Sequence, residues 1–180
     1  MEKANKQKNF IKIILPIIIV AVVAGIWIVK NSQKQMVETP AGTDNADFLL
    51  TTTELDLEQL KSHGIPIMID FGADSCIPCK EMAPVLKELN EAYQGKIIVK
   101  FVDVWKDGSL AEDFPLEVIP TQFFFDKDGK PFVPSDPEGM QMMMYSMKDT
   151  NEHVFTAHQG GMTKEQILAV FKELGVEPND

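Results

Sequence analysis

Asp70-Phe71-Gly72-Ala73-Asp74-Ser75-Cys76-Ile77-Pro78-Cys79-Lys80 is the stretch on which the fold turns, because it holds the only two cysteines of the chain, three positions apart behind an apolar run. Ile65 to Phe71 reads as a largely buried strand, with Pro66 near its start where a missing backbone donor is tolerated. Beyond the cysteines, Met82, Val85, Leu86 and Leu89 recur at helical spacing, which predicts one long helix from Cys76 to about Tyr93, kinked by Pro84. The thiols therefore stand at a helix amino terminus. Unpaired N–H groups and the helix dipole stabilise negative charge there, and Pro78 suits the first turn because it gives up a donor that has no partner anyway. A thiolate is the species that attacks disulfides. Cys76 is thus the candidate nucleophile and Cys79, one turn deeper, the resolving thiol. Two cysteines so close in sequence close too small a loop to stabilise a fold by chain entropy, so the pair reads as reactive rather than structural.

Working outward, Leu55, Leu57 and Leu60 predict a first helix ending near His63, and Ile97 to Val104 a second buried strand after a stop at Gly95. Strand, helix and strand then form a unit with parallel strands and a right-handed crossover. Ser109 to Phe114 is expected as a short helix, Thr121 to Phe125 as a third strand followed by an Asp126–Gly129 turn, and His153 to His158 as its returning partner. Between those two strands lies an insertion, 131–151, longer than an ordinary hairpin connection. A closing helix, Thr163 to Leu174, carries the spacing of a capping box at Thr163 and Gln166.

Asp70, Phe71, Ala73, Cys76, Pro78, Cys79, Lys80, Ala83, Pro84 and Leu86, together with Ile119-Pro120-Thr121 ahead of the Phe123–Phe125 strand, fall where members of the thioredoxin superfamily carry the same or similar residues. On that footing the chain resembles a membrane-anchored extracytoplasmic thioredoxin-like protein. The resemblance implies an α/β thioredoxin fold, a central mixed β-sheet flanked by helices, with the insertion before the last strand. It further implies a cis Pro120 packed on the Cys76–Cys79 disulfide, and Asp70 as the buried carboxylate that takes the proton of Cys79. Ile77, Pro78, Ile119 and Thr121 would meet the substrate, with the Ile119 backbone pairing to an extended segment. Lys100 matches a lysine that some thioredoxins place near that acid. Where thioredoxins usually carry tryptophan this chain has Gly72 and Ser75, which thins the apolar rim and leaves room for a dedicated partner. Ile77 puts no charge or imidazole between the thiols, so the pair leans toward a reductant.

Phe10 to Val29 is about twenty residues long with one charge, Lys12, and matches the length of a membrane-spanning helix. Lys3, Lys6, Lys8 and Lys12 against Lys30 and Lys34 place the short tail 1–9 inside and the remainder outside, by the positive-inside bias. The expected organisation is a cytoplasmic tail 1–9, a single-pass anchor 10–29, a polar linker 30–46 and a domain 47–180. A cleaved signal peptide and a buried helix are the competing readings of 10–29. Of 17 lysines and 27 acids, six and one lie in residues 1–35, leaving 11 against 26 and a formal charge of −15. With no arginine at all, this balance repels phosphate backbones and argues against nucleic-acid binding.

The expected activity is dithiol/disulfide exchange with protein substrates outside the cytoplasm, with no organic cofactor. By the resemblance, electrons come from an integral membrane thiol carrier, as in cytochrome c maturation or disulfide-reducing systems. Three rival readings stand beside it. The cysteines with His153 and His158 could hold zinc, although those histidines differ by an odd number and would face opposite sides of one strand. Met140, Met142, Met143, Met144 and Met147 could bind Cu(I), or form a flexible hydrophobic surface on the inserted segment, for which a helix is one form, that docks a partner or covers the active site. The chain could also be a redox-inert binding module on the same fold.

Overall fold

The computed structural model describes residues 46–178. The expected tail, the anchor and all but the last residue of the linker lie outside the described residues. Among the described residues no helix is long and apolar enough to cross a membrane.

Near-continuous runs of buried residues build the central strands of the sheet. Strands β1 (Ile67–Gly72), β2 (Ile98–Asp103), β3 (Thr121–Phe125), β4 (Met142–Ser146) and β5 (His153–Gln159) lie in the order β2-β1-β3-β5-β4. β1 and β2 are parallel, and every other pairing is antiparallel, so the sheet is mixed. Because successive strand residues point to opposite faces, β1 sends Met68 one way and Ile67, Ile69 and Phe71 the other. Helices α2 (Ile77–Ala92) and α3 (Lys164–Glu173) cover the Met68 face, through Met82, Leu86 and Leu89 from the first and Ile167, Val170 and Phe171 from the second. Leu60 of α1 (Leu57–Ser62) packs on the opposite face.

The ends of these helices follow from their residues. Asp56 caps α1 by accepting the Gln59 N–H at 3.0 Å. Thr163 and Gln166 close a capping box on α3, the hydroxyl accepting the Gln166 N–H at 3.3 Å and the amide oxygen accepting the Thr163 N–H at 2.8 Å. Pro84 lies inside α2 and withholds the bond that the Lys80 carbonyl would otherwise accept. The short helix expected at Ser109–Phe114 is a 3₁₀ turn, Gly108–Ala111.

The insertion differs from expectation. Its methionine-rich half is a strand, not a helix: β4 pairs with β5 and forms the sheet edge. Met142 is buried against the Met68 face, whereas Met143 and Met144 are exposed. A run of methionines has no β-branched signature, and only the pairing edge offered by β5 selects the extended form.

The face opposite α2 is held by a cluster of rings. Phe123, fully buried, stands 5.7 Å from Phe71, 5.0 Å from Phe114 and 5.6 Å from Phe155, centroid to centroid. Phe123→Ala is expected to lower the unfolding free energy by about 3–5 kcal/mol in urea titration; a loss below about 1 kcal/mol would mean that these rings do not pack as a unit.

Candidate functional site

β1 ends at Gly72, and Ala73-Asp74-Ser75 carries the chain to Cys76, the N-cap of α2 in extended conformation (φ −77°, ψ 127°). The Cys76 sulfur accepts the Cys79 N–H at 3.4 Å, and the two cysteines are joined as a disulfide with Cα atoms 5.3 Å apart. Both sulfurs therefore belong to the first turn of the helix. Cys79 is 2% exposed and Cys76 9%, so Cys76 is the more open of the pair.

The loop before Cys76 is clamped from the end of β2. One carboxylate oxygen of Asp103 accepts the Asp74 N–H at 3.0 Å and the other the Trp105 N–H at 3.1 Å. Lys106 pairs with Asp103 at 3.2 Å and also with Asp74. Burial pushes the Asp103 carboxyl up, but the hydrogen bonds from Asp74, Lys106 and Trp105 outweigh it and hold the group below the usual carboxylate range.

Gly72 is small for a local reason. A Cβ there would stand 2.8 Å from the Phe101 ring and 3.2 Å from the Cys79 sulfur. The Phe101 ring of β2 therefore fills the space beside the disulfide. Ile77 (72% exposed), Trp105 (64%) and Val118 (48%) supply apolar surface. Trp105 is not among the expected site residues, although an aromatic immediately after the second predicted strand was its available signal.

On the other side of the disulfide, the Ile119–Pro120 peptide is cis. Ile119 packs against Ala73, Cys76 and Cys79, and its backbone N–H and C=O take no partner among the described residues. The Pro120 carbonyl accepts the Gly160 N–H at 2.8 Å. Ile77 and Pro78 are exposed on the first turn of α2. Thr121, by contrast, is fully buried and donates to the Val118 carbonyl at 2.8 Å, so its side chain braces the loop from within.

Asp70 is fully buried, one pleat behind Gly72 on the face of β1 that α2 covers. One of its carboxylate oxygens accepts the Gln122 amide at 2.7 Å, and the other, Oδ2, is buried without a partner among the described residues. Burial pushes this acid up to about 7, against the opposing hydrogen bond from Gln122.

The thioredoxin family model matches residues 48–149, more than half of the chain. The chain belongs to the thioredoxin family. It is 35% identical over 82 residues to a thioredoxin of Alicyclobacillus acidocaldarius subsp. acidocaldarius, covering 46% of this chain and 77% of that protein. It is 39% identical over 74 residues to the chloroplastic thioredoxin Y of Oryza sativa subsp. japonica, covering 41% of this chain and 44% of that protein. The chain thus spans less than half the length of that plant relative. A solved thioredoxin of Malassezia sympodialis aligns with a TM-score of 0.47 at 19% identity, over 76% of this chain and 95% of that one.

Within this thioredoxin domain two expectations need correction. Lys100 is not beside the acid. It stands opposite Ile69 in the β1–β2 register, while Phe101 stands opposite Asp70, so alternation sends the lysine to the other face. Its ammonium donates to the Ala46 and Leu49 carbonyls at 2.8 and 2.9 Å. Burial lowers it to about 8, with Asp47 acting in the opposite sense. The strand methionines divide between the two faces of β4, Met142 and Met144 on one and Met143 on the other. The zinc reading fails on His158, which is 3% exposed and turned to Gln122 rather than to sulfur. Among the described residues no group of three His, Cys, Asp or Glu side chains is placed to hold a metal ion.

The folded-state value of Asp70, about 7, lies above the ordinary 3.8. Stability contributed by this acid is therefore fully present below the unfolded value and is lost as pH rises through the folded one. Asp70→Asn has no such loss. Relative to the wild type, the variant is expected to gain a few kcal/mol between pH 4 and 8 in denaturant titrations, and parallel pH curves for the two proteins would refute this.

Proposed function

We propose that this thioredoxin-family chain is a thiol–disulfide oxidoreductase that reduces protein disulfides outside the cytoplasm, held to the membrane through residues 10–29. The observation that carries the chemistry is the Cys76–Cys79 disulfide in the first turn of α2, with a buried acid on the strand face that α2 covers whose second oxygen has no partner among the described residues. What supports the location is the apolar run Phe10–Val29 and the lysines around it.

In the reduced form, the Cys76 thiolate attacks one sulfur of a substrate disulfide; the S–S bond breaks and the other substrate sulfur leaves as a thiolate. The product is a mixed disulfide at Cys76. Cys79 then passes its proton to the Asp70 carboxylate and attacks the Cys76 sulfur as a thiolate. The second substrate sulfur is expelled with its electron pair, leaving Cys76–Cys79 oxidised and the substrate reduced by two electrons. Asp70 returns its proton to solvent. A cleft of about 170 Å³ between Phe101 and α2, reaching Ala73, Cys79 and Ala83, gives water access to this side of the pair. Sulfur alone carries the electrons, so the exchange calls for no organic cofactor. The unpaired N–H and C=O of Ile119 offer an extended substrate segment two main-chain hydrogen bonds beside the disulfide, with Ile77, Pro78 and Trp105 as apolar contacts. Re-reduction falls to an integral membrane thiol carrier, a reading that follows from the family resemblance.

Cys79→Ser is expected to accumulate covalent complexes with substrate proteins on non-reducing gels, and Cys76→Ser to accumulate none; equal trapping by both would reverse or void the assigned roles. In intact cells, a membrane-impermeant maleimide should label Cys76 of the reduced protein. Labelling that appears only after lysis would place the domain on the cytoplasmic side.

A further inference from the structure

Asp70 does not stand alone on its face of the sheet. In the register of three adjacent strands, Asp70 of β1 lies opposite Gln122 of β3, and Gln122 lies opposite His158 of β5. All three are buried, at 0%, 0% and 3% exposure. The Gln122 amide nitrogen donates to Asp70 Oδ1 at 2.7 Å, and its oxygen stands 3.2 Å from His158 Nδ1. With the amide N–H on the acid, the amide oxygen needs a donor, which fixes the proton of the imidazole on Nδ1. The reverse amide orientation would set oxygen against an ionised carboxylate. Met82, one turn beyond Cys79 on α2, closes the row from above: its sulfur lies 3.6 Å from the Gln122 nitrogen and accepts the Met162 N–H at 3.3 Å.

We propose that Gln122 and His158 are positioning residues for Asp70: the imidazole locks the amide, the locked amide holds Oδ1, and Oδ2 alone is left to receive the proton of Cys79. This rests on Asp70 being the proton acceptor in the exchange. Few other charges reach the acid. α2 presents the Met82 sulfur to the row and Cys79 to Gly72, one pleat on from Asp70; α3 turns the apolar Ile167, Val170 and Phe171 to this face; β2 presents the Phe101 ring, with Asp103 one pleat on and engaged by Asp74 and Lys106; Lys100 is on the far face; and β4 offers Met142 at the end of the row. Burial lowers His158 below the ordinary imidazole value, against a backbone hydrogen bond at Gly160, so near neutrality the ring is an uncharged donor.

Loss of the imidazole frees the amide to turn its oxygen toward Asp70, which favours the protonated acid. The carboxylate then becomes available only at higher pH. The test is the release of 5-thio-2-nitrobenzoate from its mixed disulfide with Cys76 in the reduced full chain, followed by stopped flow across pH 5–9. The wild-type rate should rise through the ionisation of Asp70. His158→Leu should move the midpoint to higher pH by about one unit, the effect of one lost hydrogen bond. His158→Asn, whose side-chain amide nitrogen can take the place of Nδ1, should restore it. Superposed profiles for wild type and His158→Leu, or a displaced profile for His158→Asn as well, would overturn the assignment. If His158→Leu does not fold, Gln122→Met decides: an alkaline shift supports the row and an unmoved midpoint refutes it. Asp70→Asn separates the two levels. Persistence of the same pH limb in that variant removes Asp70 as acceptor, whereas its loss alongside an unmoved His158→Leu profile defeats only the positioning role.

Discussion

The carboxyl group of Asp70 is withdrawn from water in the middle of the sheet, on the face that α2 covers, with no cation beside it among the described residues. A buried acid in that setting holds its proton up to about neutrality, because desolvation disfavours the charged form. Such a group is poised to give and take a proton near pH 7, which is what the resolving step of thiol exchange demands. The surroundings keep it so. Lys100, the nearest candidate for a counter-charge by sequence, is spent on two backbone carbonyls on the other face. Phe101 takes the cross-strand place that a charge could have held.

The disulfide is positioned by a second, independent device. Asp103 collects the N–H groups of Asp74 and Trp105 on its two oxygens, tying the turn before Cys76 to the segment after β2. The same carboxylate thus fixes the approach to the N-cap and holds the backbone that carries the exposed indole of Trp105. Gly72 completes the arrangement by leaving room for the Phe101 ring against Cys79. An aromatic surface removed from positions 72 and 75 is supplied from positions 101 and 105, one ring inside the site and one outside.

Much of this was legible in the sequence where one residue type has one physical use. Short buried apolar runs marked β1, β2 and β3, helical spacing marked α2, and Thr163 with Gln166 marked the start of α3. The Cys76–Cys79 pair and Ile119-Pro120 located the centre of the site. What escaped was set by pairing rather than by pattern. Whether Lys100 points at Asp70 or away depends on a one-residue register between parallel strands, which composition does not reveal. Met142–Ser146 becomes a strand only because β5 presents an unpaired edge. Nothing in the sequence ties Gln122 to His158, 36 residues apart, until β3 and β5 lie side by side.

That added strand changes the electrical character of the sheet. With β3 on one flank and β4 on the other, β5 is an interior strand, and Met142 rather than solvent stands across from His158. Were β5 the margin of the sheet, water would reach the imidazole and screen everything it touches. The methionine-rich segment thus serves as insulation: the Met142 thioether shields the outer terminus of a row of buried polar groups, so that the hydrogen bonds along it are made away from water.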